Sequence, residues 1–347
     1  MFGFDKLYQF ILFGVLLLVM ILLFVFFARP LFIALFVSIL LTVLLKPLVK
    51  KLNRRFSHTM SVALSLVGFL GCGVLIFILI TGSILPALKN FVMDLPDILQ
   101  GTAGLSTELA NKYPWLGSPD VMQEQIRQIV ETAADWSVAF AKDSFVPVLK
   151  MTSSVAEMIG IPILTFYFMK DSHHWDRHLI RIFPRAEAEI MDFFEKTGYM
   201  LGKYMQGQLT VSLISGTFVC VIGMLLGMRH SVLFAFLSAI GEWIPVVGPI
   251  VAAVLAITTV MIQDTAMAWK LMLFYVVMFK LNHNIIYPAL VGRATKLHPV
   301  VIMVGVLFAG HVGGAFGMLI VVPSLAILYI YFTLVYDIQQ IRLKIKA

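Results

Sequence analysis

Residues 231–263 read SVLFAFLSAIGEWIPVVGPIVAAVLAITTVMIQ, an apolar run holding a single charged residue, Glu242. As one helix it would be about 50 Å long, against a hydrocarbon layer of about 30 Å. Near its middle lies Pro245-Val-Val-Gly248-Pro249, where two prolines remove backbone donors and a glycine permits a turn. Two half-helices folded into a hairpin reconcile the length with the break. A second run, Leu297 to Tyr336, contains no Asp, Glu, Lys or Arg and is broken at Gly310-His311-Val-Gly313-Gly314. It too is longer than one span, about 60 Å as helix. Broken backbone is tolerated at membrane depth only against protein or a water-filled cavity. The expected fold is therefore all-α and polytopic, with two broken or re-entrant helical hairpins in the C-terminal third.

Outward from these hairpins the chain keeps the same character. Of its 347 residues, 60% are hydrophobic and 13% charged, against roughly 45–50% and about 25% in soluble domains. That excludes a soluble enzyme, a disordered chain and a disulfide scaffold. Cys72 and Cys220 lie in apolar runs and read as core residues. About six full spans are expected, over 8–28, 31–48, 59–86, 151–169, 204–228 and 266–290. The first, too long for a signal peptide and followed by no small-residue cleavage site, reads as a span. Three parts follow: 1–85, N-terminal membrane helices; 86–149, an acidic extramembrane segment with an amphipathic pattern at Val121, Ile126, Ile129, Val130, Ala133 and Phe140; and 150–347, the membrane core with a polar loop over 170–203.

The net charge of +7 is read as orientation rather than nucleic-acid binding, because cytoplasmic loops carry the excess of Lys and Arg. Lys46, Lys50, Lys51, Arg54 and Arg55 then lie in the cytoplasm, as do both termini. The acidic 86–149 segment lies outside and 170–203 inside. With both hairpins in place, Arg293 and Lys296 fall in the cytoplasm.

No GxSxG, P-loop, HExxH or CxxC pattern occurs, so no catalytic residue and no cofactor are expected. His174 and His178 form an i, i+4 pair beside His173, but they sit in a solvated loop with no cysteine and no clear third-ligand geometry, and no metal site is expected. The chemistry sits instead in ionisable residues inside apolar runs, which are costly in hydrocarbon and mark functional pathways. Glu242 is the sharpest, beside the Pro245, Gly248 and Pro249 break, where freed carbonyls can hold ions or polar solutes. The second group is Lys280, Asn282, His283 and Asn284, with Lys280, Asn284 and Tyr287 on one helical face; this face is expected to meet Glu242. His311 stands at the second break, where Gly310, Gly313, Gly314 and Gly317 suit a gate or a tight turn.

These residues resemble the autoinducer-2 exporter family of bacterial permeases. The likeness is carried in order by Pro30 to Pro47 with its basic tail, Ile161 to Asp171, Gly241-Glu-Trp-Ile-Pro-Val-Val-Gly-Pro249, Asn284-Ile-Ile-Tyr-Pro-Ala-Leu-Val-Gly292 with Leu297-His-Pro299, and Gly310 to Pro323. The resemblance implies a bacterial inner-membrane exporter of a small hydroxylated furanone, ion-coupled, and a homo-oligomer, even a pentamer. Some relatives resemble sodium(lithium)/proton antiporters, which keeps Na+ and H+ as expected partners beside the solute and the lipid bilayer. A non-transporting membrane scaffold is the alternative of another class.

Overall fold

The computed structural model describes residues 2–27, 29–84, 86–91, 93–94, 155–171, 182–291 and 297–346, with scattered residues between 107 and 135. Most of the 121–140 amphipathic pattern, His173, His174, His178, Arg293 and Lys296 lie outside the described residues. The helices are α1 (Phe2–Phe27), α2 (Arg29–Leu52), α3 (His58–Leu79) continued by a π-turn (Ile80–Ile84), α4 (Val155–Lys170), α5 (Glu187–Leu225), α6 (Ser231–Gly241), α7 (Val247–Gln263), α8 (Thr265–Leu281), a second π-turn (Asn282–Ile286), α9 (Tyr287–Val291) and α10 (Pro299–Lys346). No strand occurs among the described residues.

Among the described residues, five stretches are long and apolar enough to cross a membrane: Lys6–Val25, Pro30–Leu52, His58–Phe91, Glu187–Leu225 and Gly317–Ile341. Shorter apolar helices over Ile159–Lys170, Ser231–Gly241, Val247–Met261 and Pro299–Gly314 complete the set. Large apolar side chains such as Leu16, Leu23, Leu75 and Leu79 point outward, half or more exposed. Water would penalise each by about 1.5–3 kcal/mol relative to burial, whereas lipid tails would not. This is a polytopic helical membrane protein.

Helix α5 is the spine of the molecule. Its 39 residues make about 58 Å, well beyond the hydrocarbon thickness. The polar stretch expected over 170–203 is thus, from Glu187 onward, an extension of the span. Glu187 and Glu189 occupy its first turn, where negative charge complements the helix dipole. Lys6 pairs with Glu189, and Phe10 and Phe13 of α1 pack with Phe193 of α5 and Leu334 of α10. At its other end Gly227, at φ 72°, reverses the chain, with the Met228 amide donating to the Gly223 carbonyl at 2.8 Å; only glycine enters that left-handed cap cheaply.

Both hairpins form where the sequence breaks. In the first, α6 and α7 are joined through residues 242–246, and the backbones of Gly241 and Gly248 touch so closely that a Cβ on either would strike the other's carbonyl. The Val247 amide donates to the Pro245 carbonyl at 2.8 Å, closing a γ-turn around Val246 at φ 69°, ψ −54°. This is a strained conformation for a β-branched residue. The Asp264 side chain accepts from the amides of Ala266 and Met267, which starts α8. In the second hairpin, α10 breaks at Gly314 (φ 59°, ψ −147°). Gly305 then faces Leu325 and Val321, Gly310 faces Met318, and Gly317 faces the Ala309 carbonyl. The descending pairing of numbers shows two antiparallel arms.

Candidate functional site

Glu242 caps the end of α6 and is only 8% exposed. A buried carboxylate is costly unless hydrogen-bonded, and here two side chains donate to one of its oxygens. Ser215 Oγ of α5 donates to Glu242 Oε1 at 2.6 Å. Asn282 Nδ2 donates to the same oxygen at 2.9 Å and to Ser215 Oγ at 2.7 Å. Hydrogen bonds to an ionised oxygen are about twice as strong as neutral ones. Gln208 of α5 donates through Nε2 to the Glu242 backbone carbonyl and accepts from the Tyr287 hydroxyl at 2.6 Å. The three segments α5, the first hairpin and 282–287 are thus pinned at one point, beside the strained Val246.

Three polar atoms of this region are buried and make no hydrogen bond to a described residue: Asn282 Oδ1, Tyr204 Oη and Ser212 Oγ. A buried polar group without a partner costs about 1–3 kcal/mol. Such atoms are retained in a core where a ligand, an ion or water uses them.

Of the residues expected from sequence, the structure brings together Glu242 and Asn282, with Pro245, Gly248 and Pro249 shaping the turn. The meeting of Glu242 with Lys280 does not form: Lys280 is exposed. Two residues along a helix turn the side chain by about 200°, so with Asn282 inside, Lys280 faces out. Nor do Lys280, Asn284 and Tyr287 share the inward face. The Tyr287 amide donates to the Asn282 carbonyl five residues back, and this π-turn puts Tyr287 over Asn282 and leaves Asn284 exposed. His283 is also exposed, stacked on Phe279 at 4.1 Å with Nδ1 3.1 Å from the Phe279 carbonyl. His311 is exposed as well. The close backbone approach expected at the second break belongs to Gly310 and Gly317; Gly314 supplies the turn and Gly313 faces open space.

Sequence reasoning missed Tyr204, Gln208, Ser212 and Ser215. Their signal was available as polar residues at i, i+4, i+8 and i+11 of one span, a single face of α5.

A second polar cluster lies at the opposite end of α6. His230 Nε2 is 3.1 Å and Arg229 Nη1 3.4 Å from Asp94 Oδ2, beside a cavity of about 530 Å³ that also meets Ser83, Asn90 and Ser231. Burial holds the His230 imidazole below its ordinary value of 6.5, against the opposing pull of Asp94.

A sequence profile described as AI-2E family transporter matches residues 15–337. The chain is 25% identical over 290 residues to "Putative transport protein YueF" of Bacillus subtilis, covering 82% of this chain and 78% of that one. It is 26% identical over 211 residues to "Putative transport protein YrrI" of the same organism, 60% of each chain. It is 25% identical over 237 residues to "Putative permease PerM" of Escherichia coli, 67% of this chain and 66% of that one.

Proposed function

This chain belongs to the AI-2E family of transporters, and we propose that it carries a small polar solute across the bacterial inner membrane by secondary transport, with Glu242, Ser215 and Asn282 as the binding site. One observation carries the reading: a buried carboxylate, a hydroxyl and an amide converge at the break of a membrane hairpin. Half-helix ends of this kind hold polar cargo in other secondary transporters. The acceptors suit the hydroxyls of a compact furanone of the autoinducer-2 type, and export is the direction we assign. The basic 46–55 turn and the basic tail support a cytoplasmic side for both termini. The outward apolar faces leave room for a homo-oligomer, for which we propose a pentamer.

A second reading is sodium(lithium)/proton antiport. It is favoured by the unspent Asn282 Oδ1 beside the Glu242 carboxylate, since hard cations take oxygen ligands. Reconstitution into liposomes with labelled furanone, sodium and pH gradients applied in parallel decides between them. Furanone flux lost in Glu242→Gln supports the first reading. Sodium-driven acidification without furanone flux replaces it with the second. No flux of any kind removes both.

A further inference from the structure

Resting on the transporter reading, a feature of α5 names the ion that drives it. Lys203 is the last charged residue of this helix before a charge-free stretch to Leu225. From there inward, one face presents Tyr204, Gln208, Ser212 and Ser215. These four are buried among apolar neighbours, at 2%, 1%, 6% and below 1% exposure. A face of that kind turned into a protein core is not explained by packing, since leucine or alanine would pack there at lower cost.

The hydrogen bonding divides the face into two kinds of group. The amides are anchored: Gln208 holds Tyr287 and the Glu242 carbonyl, and Asn282 holds Ser215 and Glu242. Two hydroxyls are not: Tyr204 Oη and Ser212 Oγ keep their hydrogen-bonding capacity, as does Asn282 Oδ1. A helical turn advances about 6 Å in four residues. One water joins two oxygens about 5.6 Å apart, at about 2.8 Å to each. Tyr204 and Ser212 are two such turns apart, about 12 Å, with the Tyr287 hydroxyl held at the Gln208 level between them, and buried waters settle where two or more polar atoms can hold them.

We infer that Tyr204, Tyr287, Ser212 and Ser215 hold a file of water that conducts protons from the Glu187 end of α5 to Glu242, making the proton the driving ion. Each hydroxyl accepts a proton on one side and releases its own on the other, which reverses its O–H direction, and the hydroxyls and waters turn back before the next passage. The proton ends on Glu242, whose second carboxylate oxygen accepts no hydrogen bond from a described residue. Glu242 becomes neutral, and a loss of protons to the opposite side restores it. The path begins beside Lys203 and runs about 18 Å to the level of Ser215, more than half of the hydrocarbon thickness. The titratable groups packed around it are Tyr204 on α5, Glu242 on the first hairpin, Tyr287 on the 282–291 segment, and Tyr275 of α8 through Ser238. His283 on the 282–291 segment is exposed and turned onto Phe279, and the others are phenols, so Glu242 is where an entering proton stops.

The test needs no cargo. Proteoliposomes adsorbed on a solid-supported electrode receive a pH jump, and the charge displaced by protons moving part-way through the membrane is recorded. The wild type should show a transient that Glu242→Gln abolishes. Tyr204→Phe keeps the ring and removes the hydroxyl; it and Ser212→Ala should each slow the transient at least tenfold. Thr210→Val, which removes a hydroxyl from the other side of α5, should leave it unchanged. Wild-type speed in both Tyr204→Phe and Ser212→Ala would reduce the face to structural water and overturn the inference. Equal slowing in Thr210→Val would do the same. No transient in the wild type would exclude the proton at Glu242, while labelled-solute flux in the same liposomes would still uphold the transporter reading. Should Tyr204→Phe fail to assemble, Ser212→Ala carries the decision alone.

Discussion

The two C-terminal hairpins solve the same problem in different ways. Both fold an over-long apolar run at a residue of positive φ, Val246 in one and Gly314 in the other. The second hairpin is closed by packing. Gly305, Gly310 and Gly317 let its arms meet on apolar side chains and a carbonyl, and the histidine at its break, His311, stays exposed. The first is closed by chemistry as well. Its turn carries a buried carboxylate held from α5 and from 282–287, and a β-branched residue accepts a conformation that glycine would take freely. A break made by glycine serves shape alone. A break that keeps strain and a buried charge at the same place is the one where function is to be sought.

The largest predicted effect separates the hairpins by their glycines. Gly248→Leu drives a side chain into the Gly241 backbone, where nothing flexible can yield, at a cost of about 3 kcal/mol or more. Folded protein recovered in detergent should fall to a small fraction of wild type. Gly313→Ala meets nothing within 4 Å and should be recovered normally. At the turn itself, Gly314→Ala places a Cβ on a backbone at φ 59°, ψ −147°, costing about 1–3 kcal/mol and lowering the thermal midpoint without removing the Glu242 site.

The next comparison lies within one helix. Asn282→Leu takes a donor from a buried carboxylate, at about 1–3 kcal/mol, and should impair both thermal stability and transport. Lys280→Met, two residues away and exposed, should change neither beyond about 0.5 kcal/mol. The smallest effect concerns His230, at the start of the first hairpin. Its folded-state pKa is lowered, so the folded protein prefers the neutral ring. The stabilisation is present above the ordinary value of 6.5 and is lost as pH falls through the lower folded value. Thermal unfolding followed downward from neutral pH should show this loss in the wild type and a flatter profile in His230→Gln, with no counterpart at exposed His311.

What could be read beforehand follows from these differences. The breaks were visible because proline and glycine act locally, and two runs too long for a membrane had to bend somewhere. Glu242 was visible because an isolated charge in an apolar run has no bland explanation. Its partners were not. Lys280 was expected to meet it because opposite charges attract, yet a buried ion pair must repay two desolvation costs, and two neutral donors serve the carboxylate without exacting the second. The π-turn that brings Tyr287 over Asn282 adds one residue to a turn, and no residue in Asn282–Ile286 announces it. The α5 face escaped notice because serine, glutamine and tyrosine are tolerated singly in membrane helices, and only their spacing sets them apart. The extension of that helix back to Glu187 was hidden by charges that mark water, not loop.

The central claim is that cargo is handled at the first hairpin and not at the second. Solute flux in proteoliposomes, driven by a pH gradient and compared between Glu242→Gln and His311→Ala, tests it most directly. Both variants should assemble, because glutamine preserves the shape and acceptor oxygen of Glu242 and His311 is exposed. The predicted result is loss of at least nine-tenths of the flux in Glu242→Gln with wild-type flux in His311→Ala. Full flux in Glu242→Gln together with its loss in His311→Ala would move the site to the second hairpin and contradict the account.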